Sequence, residues 1–347
     1  MKALIYYGPH DIRLEEIEKP VCKDNDVIVK VMRAGICGSD LKAYLHDGHS
    51  VGILPKGEMG FDGQFGHEMV GVVNQVGKYV KNVKEGDRVF VNPMLCRKDG
   101  MMLCDMAGAF SEYVLVEEPA YGYNLMKLSD NTSFDDAVLT EPLAVATHGK
   151  NIAEIKPHEN VVIYGAGTIG LCALEAVLAI GCKSPVIVDI NVERLKLAEK
   201  IGGSAFNPSV DGEISTFLID HFGSYMSPFG TKTVDVDAYI DCAGAESIIA
   251  EILRISKPKA RISIVAVYKK PIVLDINPFQ RNELTIHGCL GYETTDVVEA
   301  YNNIDQNRIQ IGEIITHQFG INDGVKAFET AANPSTGAIK VVINYEM

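Results

Sequence analysis

The sequence predicts an α/β protein with two domains, one rich in β-strands and one built on a parallel sheet. The chain has 347 residues, which is too long for one typical hydrophobic core and suits two domains. Short β-branched runs with Gly or Asn at their ends dominate residues 1–152, whereas strands and helices alternate from residue 153 onward. Such alternation predicts parallel strands joined by crossover helices.

The β-rich part, residues 1–152, has the pattern of a compact barrel or sandwich. Strands are predicted at residues 1–7, 27–31, 70–73 and 87–91, where β-branched side chains are frequent. Residues 288–347 are predicted to return to this domain, with a helix near 295–305 and a strand at 339–343.

Residues 153–287 carry the alternating pattern. Buried strands are predicted at 161–164, 186–189, 236–241, 261–267 and 284–288, and helices at 168–180, 191–201 and 246–257. The apolar stretch 161–182 has a single charge, Glu175, but Gly165, Gly167 and Gly170 interrupt it early. Because a membrane-spanning helix needs about 20 apolar residues, we predict a buried strand followed by a helix here.

Composition narrows the class of partner and the compartment. The apolar content of 47% and charged content of 22% are those of an ordinary globular protein. A formal charge of −14 argues against nucleic acid or an anionic membrane surface as the main partner. Eight widely spaced cysteines, with no signal-peptide pattern before them, indicate reduced thiols in the cytoplasm.

A glycine-rich turn, Gly-Ala-Gly-Thr-Ile-Gly at residues 165–170, follows the first strand of the alternating part. Gly165 permits a tight turn, Gly167 lets the backbone approach a pyrophosphate, and Gly170 lets the helix pack against the strand. The N–H groups of Thr168 and Ile169 lie at the predicted helix N-terminus, where phosphate is favoured. This context predicts a dinucleotide site.

Asp189 ends the next predicted strand, 19 residues after Gly170. A carboxylate there can accept hydrogen bonds from the adenosine ribose and would repel a 2′-phosphate, which predicts NAD rather than NADP. Arg194, in the following helix, is a further candidate for contact with the coenzyme. The alternative role for Asp189 is to cap the helix that begins near Asn191.

Among the residues of the β-rich part whose side chains zinc accepts, four are candidate ligands of one site: Cys37, His67, Glu68 and Glu141. His67 and Glu68 are neighbours in an apolar, strand-like run, so one of them is expected to face inward, where an unpaired polar group is costly. Taken singly, each has a commoner structural explanation: Cys37 as a small buried apolar residue, and His67 as a hydrogen-bonded structural histidine. Spacing alone does not show that these residues meet.

Six motifs occur in a fixed order: C-G-S-D, G-H-E-x-x-G-x-V, G-D-R-V, G-A-F-S-E-Y, E-P-L-A and G-A-G-T-I-G. In this order they resemble the zinc-dependent medium-chain alcohol dehydrogenases over essentially the whole chain. Within that family, Glu141-Pro142 in place of a cysteine resembles the butanediol and sorbitol dehydrogenases. The resemblance implies a GroES-like catalytic domain at 1–152 and 288–347, a Rossmann domain at 153–287, and a homo-oligomer, either a dimer or a tetramer.

The resemblance also implies the roles of the site residues. Cys37 and His67 become zinc ligands, while Glu68 and Glu141 either bind zinc or hydrogen-bond to its water. The implied reaction transfers a hydride between NAD and a secondary alcohol, a vicinal diol or polyol, to give a ketone. Ser39 would carry the released proton outward. Lys42 departs from the family pattern, which often has His there, and is either a contact for the coenzyme or a solvent-exposed lysine.

Two alternative functions follow from the same sequence. One is a zinc-independent quinone or enoyl reductase of the same fold, which has no use for Cys37, His67 and Glu68 together. The other is an NAD-binding scaffold without turnover. Tyr44 and Phe110 also have two interpretations: they either line the substrate pocket or belong to the hydrophobic core.

Many relatives in this family carry a second, structural zinc on four closely spaced cysteines. The equivalent stretch, residues 91–110 and here called the lobe, holds only Cys96 and Cys104. Two thiolates do not complete a four-coordinate structural site, so we predict one zinc per chain, at the catalytic site. Four methionines of the lobe are predicted to pack as flexible filler: Met94, Met101, Met102 and Met106.

Overall fold

The computed structural model describes residues 1–227 and 230–347. The strands are β1 (Lys2–Gly8), β2 (Asp11–Glu16), β3 (Val27–Gly35), β4 (Glu68–Val76), β5 (Arg88–Val91), β6 (Arg97–Lys98), β7 (Met101–Met102), β8 (Tyr113–Val116), β9 (Leu125–Lys127), β10 (Val161–Tyr164), β11 (Val186–Val188), β12 (Ser204–Phe206), β13 (Ser224–Met226), β14 (Lys232–Val234), β15 (Ala238–Asp241), β16 (Arg261–Ile264), β17 (Thr285–Gly288), β18 (Ile315–Phe319) and β19 (Lys340–Asn344). The helices are α1 (Gly38–Leu45), α2 (Phe134–Ala137), α3 (Thr140–Ile152), α4 (Thr168–Ala179), α5 (Val192–Ile201), α6 (Ile214–Phe222), α7 (Glu246–Ile255), α8 (Asn277–Asn282), α9 (Thr294–Asp305) and α10 (Gly324–Ala332).

The chain forms two compact units. The first unit contains Met1–Glu141 and Tyr301–Met347, and the second contains Pro142–Ala300.

The first unit is built on a sheet with the strand order β18-β19-β3-β4-β5-β9, and β8 also pairs with β3. The neighbours in this sheet are antiparallel except β18 and β19, which are parallel. Apolar side chains of β3 fill the interior, since Val27, Val29 and Val31 are each at most 1% exposed. The predicted β-rich character of this part of the chain matches this architecture.

Aromatic rings form part of the first unit's core. Phe110 and Phe328 have ring centroids 5.2 Å apart, and those of Tyr44 and Phe328 are 5.8 Å apart. Phe110 is fully buried and Tyr44 is 8% exposed within the same hydrophobic cluster. Of the two interpretations of Tyr44 and Phe110, the structure therefore favours membership of the core.

The second unit has a parallel sheet with the strand order β12-β11-β10-β15-β16-β17. In chain order this is 3-2-1-4-5-6, the arrangement of a doubly wound dinucleotide-binding sheet. Strands β10, β11 and β15 are buried along their whole length, which explains their continuous apolar sequence. The predicted parallel sheet is confirmed.

The lobe differs from its prediction. Met94, Met101 and Met102 are 39%, 51% and 41% exposed, so the expectation that they pack as filler is wrong; only Met106 is partly buried. For Met101 and Met102 the physical reason is that β6 and β7 form a two-stranded ribbon whose residues are all exposed, whereas Met94 lies in the 3₁₀ turn Pro93–Leu95.

No helix within residues 1–227 and 230–347 has the length and apolar character needed to cross a membrane.

Candidate metal centre and dinucleotide site

Cys37 lies where β3 gives way to α1. It is the N-cap residue of α1, and its backbone N–H donates to Oδ2 of Asp40 at 2.8 Å, the reciprocal arrangement of a capping box. Asp40 is fully buried, and burial raises its pKa to about 7 even though the charge of His67 opposes the shift. The cap therefore fixes the position of the Cys37 backbone with a buried carboxylate.

His67 and Glu68 lie at the start of β4, which begins at Glu68. Both are buried, with exposures of 6% and 0%. Both side chains are buried and not only one of them, because His67 precedes the strand and is not bound by its alternation. Cys37, His67 and Glu68 each place a ligand atom within 4.8 Å of the other two, the one such group among the described residues.

Glu68 is held by a lysine that the sequence motifs do not include. Nζ of Lys340, in β19, donates to Oε1 of Glu68 at 2.6 Å and to the carbonyl oxygen of Ile36 at 3.0 Å. Gly35 makes this approach possible, since a Cβ there would lie 1.9 Å from Oε2 of Glu68. Burial lowers the pKa of Lys340, but the charges of Glu68, Cys37 and Glu141, together with the hydrogen bond to Glu68, outweigh burial and the pKa is raised.

Glu141 is the second residue of α3 and is 7% exposed. Burial raises its pKa to about 7, against the opposing charges of His67 and Lys340. Its carboxylate is thus electrostatically coupled to the cluster, although it lies outside the three ligand atoms that meet within 4.8 Å in the described part of the chain. A buried carboxylate, when ionised, is stabilised by a cationic partner.

The residues present fit a zinc ion. Thiolate, imidazole and carboxylate are the donors that zinc accepts in catalytic sites. Oδ1 of Asp40 is buried without a hydrogen-bond partner, as expected for a group beside a site that a cation completes. Ser39 is half-buried beside this cluster, and its hydroxyl donates to Oδ1 of Asp105 at 3.1 Å. Lys42 is exposed, which favours its interpretation as a solvent-exposed lysine.

The glycine-rich turn has the geometry that its sequence predicts. Gly165 has φ of +95°, a left-handed conformation, and a Cβ on Gly170 would lie 1.7 Å from the Gly165 carbonyl oxygen. Gly167 is the N-cap of α4, whose first residues are Thr168 and Ile169. Because the three glycines of the turn carry no Cβ, a pyrophosphate can approach the backbone at the N-terminus of α4.

Asp189 follows β11 and faces this turn. Its Oδ2 accepts from the Ala166 N–H at 2.7 Å and its Oδ1 from the Asn191 N–H at 2.8 Å. Asn191, not Asp189, caps α5, because its side chain accepts from the N–H groups of Glu193 and Arg194. Nη1 of Arg194 lies 3.9 Å from the point that a Cβ on Gly167 would occupy, so Arg194 borders the turn.

Comparisons with known proteins show which family the chain resembles. The alcohol dehydrogenase GroES-like domain model matches residues 23–130, and the zinc-binding dehydrogenase model matches residues 168–306. A protein named probable D-xylulose reductase A from Arthroderma otae is 30% identical, over 94% of this chain and 93% of its own length. The chain belongs to the zinc-dependent medium-chain polyol dehydrogenase family.

Other relatives of this dehydrogenase support the same family. The (R,R)-butanediol dehydrogenase of Bacillus subtilis is 29% identical, over 92% of this chain and 95% of its own. The crystal structure of 2R,3R-butanediol dehydrogenase from Bacillus subtilis matches with a TM-score of 0.85 and 26% identity, over 99% of each chain. The predicted GroES-like and Rossmann fold class is confirmed.

The dehydrogenase is an enzyme, an oxidoreductase with zinc and NAD as its cofactors. Family membership favours this function over a zinc-independent reductase and over a non-catalytic scaffold. The sequence motifs missed two residues that contact this cluster, Lys340 and Asp105. Lys340 could have been found, since it is a lone charge at the start of an apolar, strand-like run, whereas Asp105 carries no such signal.

Proposed function

We propose that this dehydrogenase transfers a hydride between NAD and a vicinal diol or polyol, oxidising a secondary alcohol to a ketone. The observation that carries the proposal is the buried cluster of Cys37, His67 and Glu68. Relatives named D-xylulose reductase, (R,R)-butanediol dehydrogenase and sorbitol dehydrogenase support a polyol or diol as the substrate class.

We assign the zinc ligands as Cys37, His67 and Glu141. Glu68 is already engaged by Lys340, which leaves the carboxylate of Glu141 as the third ligand and gives Glu68 a supporting role. Zinc, when bound, lowers the pKa of an alcohol hydroxyl so that an alkoxide is accessible near neutral pH. Ser39 is the hydroxyl proposed to relay the proton that the alcohol loses, accepting it as its own proton is passed outward.

The coenzyme site proposed for NAD consists of the glycine-rich turn and the residues around it. Gly165, Gly167 and Gly170 give the pyrophosphate access to the backbone, with Thr168 and Ile169 supplying N–H groups. Asp189 is proposed to accept hydrogen bonds from the adenosine ribose, and Arg194 to contact the coenzyme beside the turn.

We propose that the protein is a homo-oligomer. Strand β17 is at the edge of the parallel sheet, with an open row of backbone groups. Exposed apolar side chains lie on this strand and in the segments that flank it in the sequence: Ile286 is 37% exposed, Val273 98%, Ile276 72% and Leu290 93%. An exposed apolar surface beside a free strand edge favours association with a second copy.

The predicted segments 1–152, 153–287 and 288–347 remain our proposal for the domain division. A cytoplasmic location is also proposed, and it is supported by the cysteines, which are free thiols throughout the described part of the chain.

The test is a panel of 2,3-diols, polyols and the matching ketones, followed by NADH absorbance. We expect turnover with at least one diol or polyol, and no turnover or tight zinc binding in Cys37→Ala or His67→Ala, with the fold retained. Cys22→Ala, at a half-buried cysteine outside the cluster, is the control. Retained zinc and activity in Cys37→Ala or His67→Ala would remove that residue from the ligand set.

The assignment of the third ligand has its own comparison. Glu141→Gln is expected to release zinc, whereas Glu68→Gln is expected to retain it. The reverse result would make Glu68 the ligand.

A further inference from the structure

One carboxylate of the lobe reaches the catalytic cluster. Asp105 lies in a 3₁₀ turn, Cys104–Met106. Its Oδ1 accepts a hydrogen bond from the Ser39 hydroxyl at 3.1 Å and lies 3.1 Å from Nδ1 of His67. The Asp105 side chain is 32% exposed, while that of His67 is 7% exposed. A single oxygen atom thus lies beside both the proposed proton acceptor and a proposed zinc ligand.

The backbone holds Asp105 in this place. Its carbonyl oxygen accepts from the Gly66 N–H at 2.8 Å, and the Gly66 carbonyl oxygen accepts from the Ala109 N–H at 3.1 Å. Cys104, directly before Asp105, has φ of +46°, in the left-handed region that non-glycine residues seldom adopt. The lobe is therefore tied to the residue preceding His67, with a strained turn at the point where the carboxylate enters the cluster.

Nδ1 of the His67 imidazole faces two carboxylates, those of Asp105 and Asp40. A histidine that binds a metal through one ring nitrogen carries its proton on the other, and that N–H is commonly received by a carboxylate. Nδ1 of His67 is buried, with Oδ1 of Asp105 at 3.1 Å and Oδ1 of Asp40 at 4.0 Å. Asp105 offers the nearer oxygen, although the contact is not aligned as a hydrogen bond.

Oδ1 of Asp105 also orients the Ser39 hydroxyl, which donates to it. Because its O–H points at Asp105, its lone pairs are the groups left to accept a proton from elsewhere. A serine without such a partner would rotate freely and present its own proton part of the time.

We propose that Asp105 is a positioning residue of the catalytic site, which from the lobe holds the Ser39 hydroxyl and the His67 imidazole in their working orientations. The inference rests on the proposed function and deepens it. On this proposal the lobe contributes a side chain to the catalytic centre. Its two cysteines alone do not complete a structural zinc site.

The test compares Asp105→Ala and Asp105→Asn with Asp99→Asn in purified, zinc-loaded enzyme. Asp99 is a matched control because it lies in the same lobe, 77% exposed and paired with exposed Lys23. Transfer of zinc to a colorimetric chelator is expected to be about 10- to 100-fold faster in Asp105→Ala than in the wild type. The rate of zinc transfer in Asp105→Asn, which keeps an acceptor oxygen, is expected to lie between the rates in Asp105→Ala and the wild type. The rate in Asp99→Asn is expected to match that of the wild type.

Kinetics separate positioning from a general loss of structure. The kcat of Asp105→Ala is expected to fall by a similar factor, about 10- to 100-fold, with the KM for NAD unchanged. The effects of Ser39→Ala and Asp105→Ala on kcat should be less than additive, because both remove the same contact. If Asp105→Ala does not fold, the near-isosteric Asp105→Asn carries the same comparisons.

The outcomes distinguish the two proposals. A wild-type protein that neither holds zinc nor oxidises any diol or polyol overturns the proposed function and this inference with it. A wild-type protein that does both, with Asp105 variants equal to Asp99→Asn in zinc release and kcat, leaves the proposed function standing and overturns the inference alone.

Discussion

Nζ of Lys340 lies 2.6 Å from Oε1 of Glu68, and the two residues are 2% and 0% exposed. They are separated by 272 positions in the sequence. The pair joins β19 to the start of β4 and places a positive charge beside a cluster otherwise composed of a cysteine, a histidine and carboxylates. A buried charge pair of this kind is costly to break because the remaining partner is left uncompensated.

Replacing Lys340 by Met should therefore destabilise the first unit. We expect a loss of about 3–5 kcal/mol in the free energy of unfolding, measured by urea denaturation with a probe in that unit. Lys326→Met, at an exposed lysine of α10, is the control. The double change of Lys340→Met with Glu68→Gln should recover part of the loss. Equal stability of the two single lysine variants would show that the ion pair contributes nothing.

Gly35→Ala should disrupt the same pair by steric overlap. The added Cβ would lie 1.9 Å from Oε2 of Glu68, so the carboxylate must move away. Overpacking a site of this kind costs about 1–3 kcal/mol, which lowers Tm measurably. Gly38→Ala is the matched control, since no atom lies within 4 Å of its added Cβ. Identical Tm values for the two variants would contradict the overlap.

Coenzyme preference should depend on Asp189. We expect the wild type to prefer NAD over NADP in kcat/KM, and Asp189→Asn to shift that ratio toward NADP by about tenfold, because a charged hydrogen-bond acceptor contributes roughly 1.5–3 kcal/mol. Asp211→Asn, at an exposed aspartate of the same unit, should leave the ratio unchanged. A wild type that prefers NADP by tenfold or more would refute the assignment.

Metal analysis should find one zinc per chain. Burial and the neighbouring Cys104 raise the pKa of the Cys96 thiol to about 12, so it stays protonated at neutral pH in the absence of a metal. Cys96→Ala and Cys104→Ala should keep the full zinc content, whereas Cys37→Ala should lose it. Two tightly held zinc ions per wild-type chain, or loss of zinc from Cys96→Ala, is the contrary result.

His49 should titrate at a higher pH than an ordinary histidine. Its ring hydrogen-bonds to Glu58 at 2.6 Å and to Asp47 at 3.0 Å, and these contacts raise its pKa, that with Glu58 the most. Folding thus favours the protonated ring. The resulting stabilisation is complete below the pKa of an unfolded histidine, about 6.5, and is lost as the pH rises through the higher folded value.

The titration is measured from the His49 ring protons by NMR. Glu58→Gln should lower the midpoint, whereas Glu18→Gln, at an exposed glutamate away from His49, should not. A midpoint that Glu58→Gln leaves in place would show that the contact does not form in solution.

Local sequence predicted the dinucleotide half of the protein well. Strand β10 matches residues 161–164, and α4 ends one residue before its predicted boundary, because glycines and an apolar run define both elements locally. The short elements β12, β13 and β14 were not predicted, since three-residue strands depend on their neighbours in space.

The candidate metal centre was predictable in part. Motif order indicated Cys37 and His67, but no local signal pairs Lys340 with Glu68 or directs Asp105 toward Ser39. Such contacts arise from tertiary packing between distant segments. The same limit explains the error on the lobe methionines, because an apolar side chain does not reveal whether its ribbon has a surface to pack against.

The position of β19 bears on how the protein is made. It lies between β18 and β3, so an interior strand of the first unit's sheet comes from near the end of the sequence. A ribosome releases the amino-terminal part of a chain first, so β3 and β4 leave it long before β19 exists. During that interval the flank of β3 is uncovered and Glu68 has no counter-charge. A nonsense codon anywhere before position 340 therefore yields a polypeptide that lacks both β19 and the counter-charge of Glu68, however much of the second unit it contains.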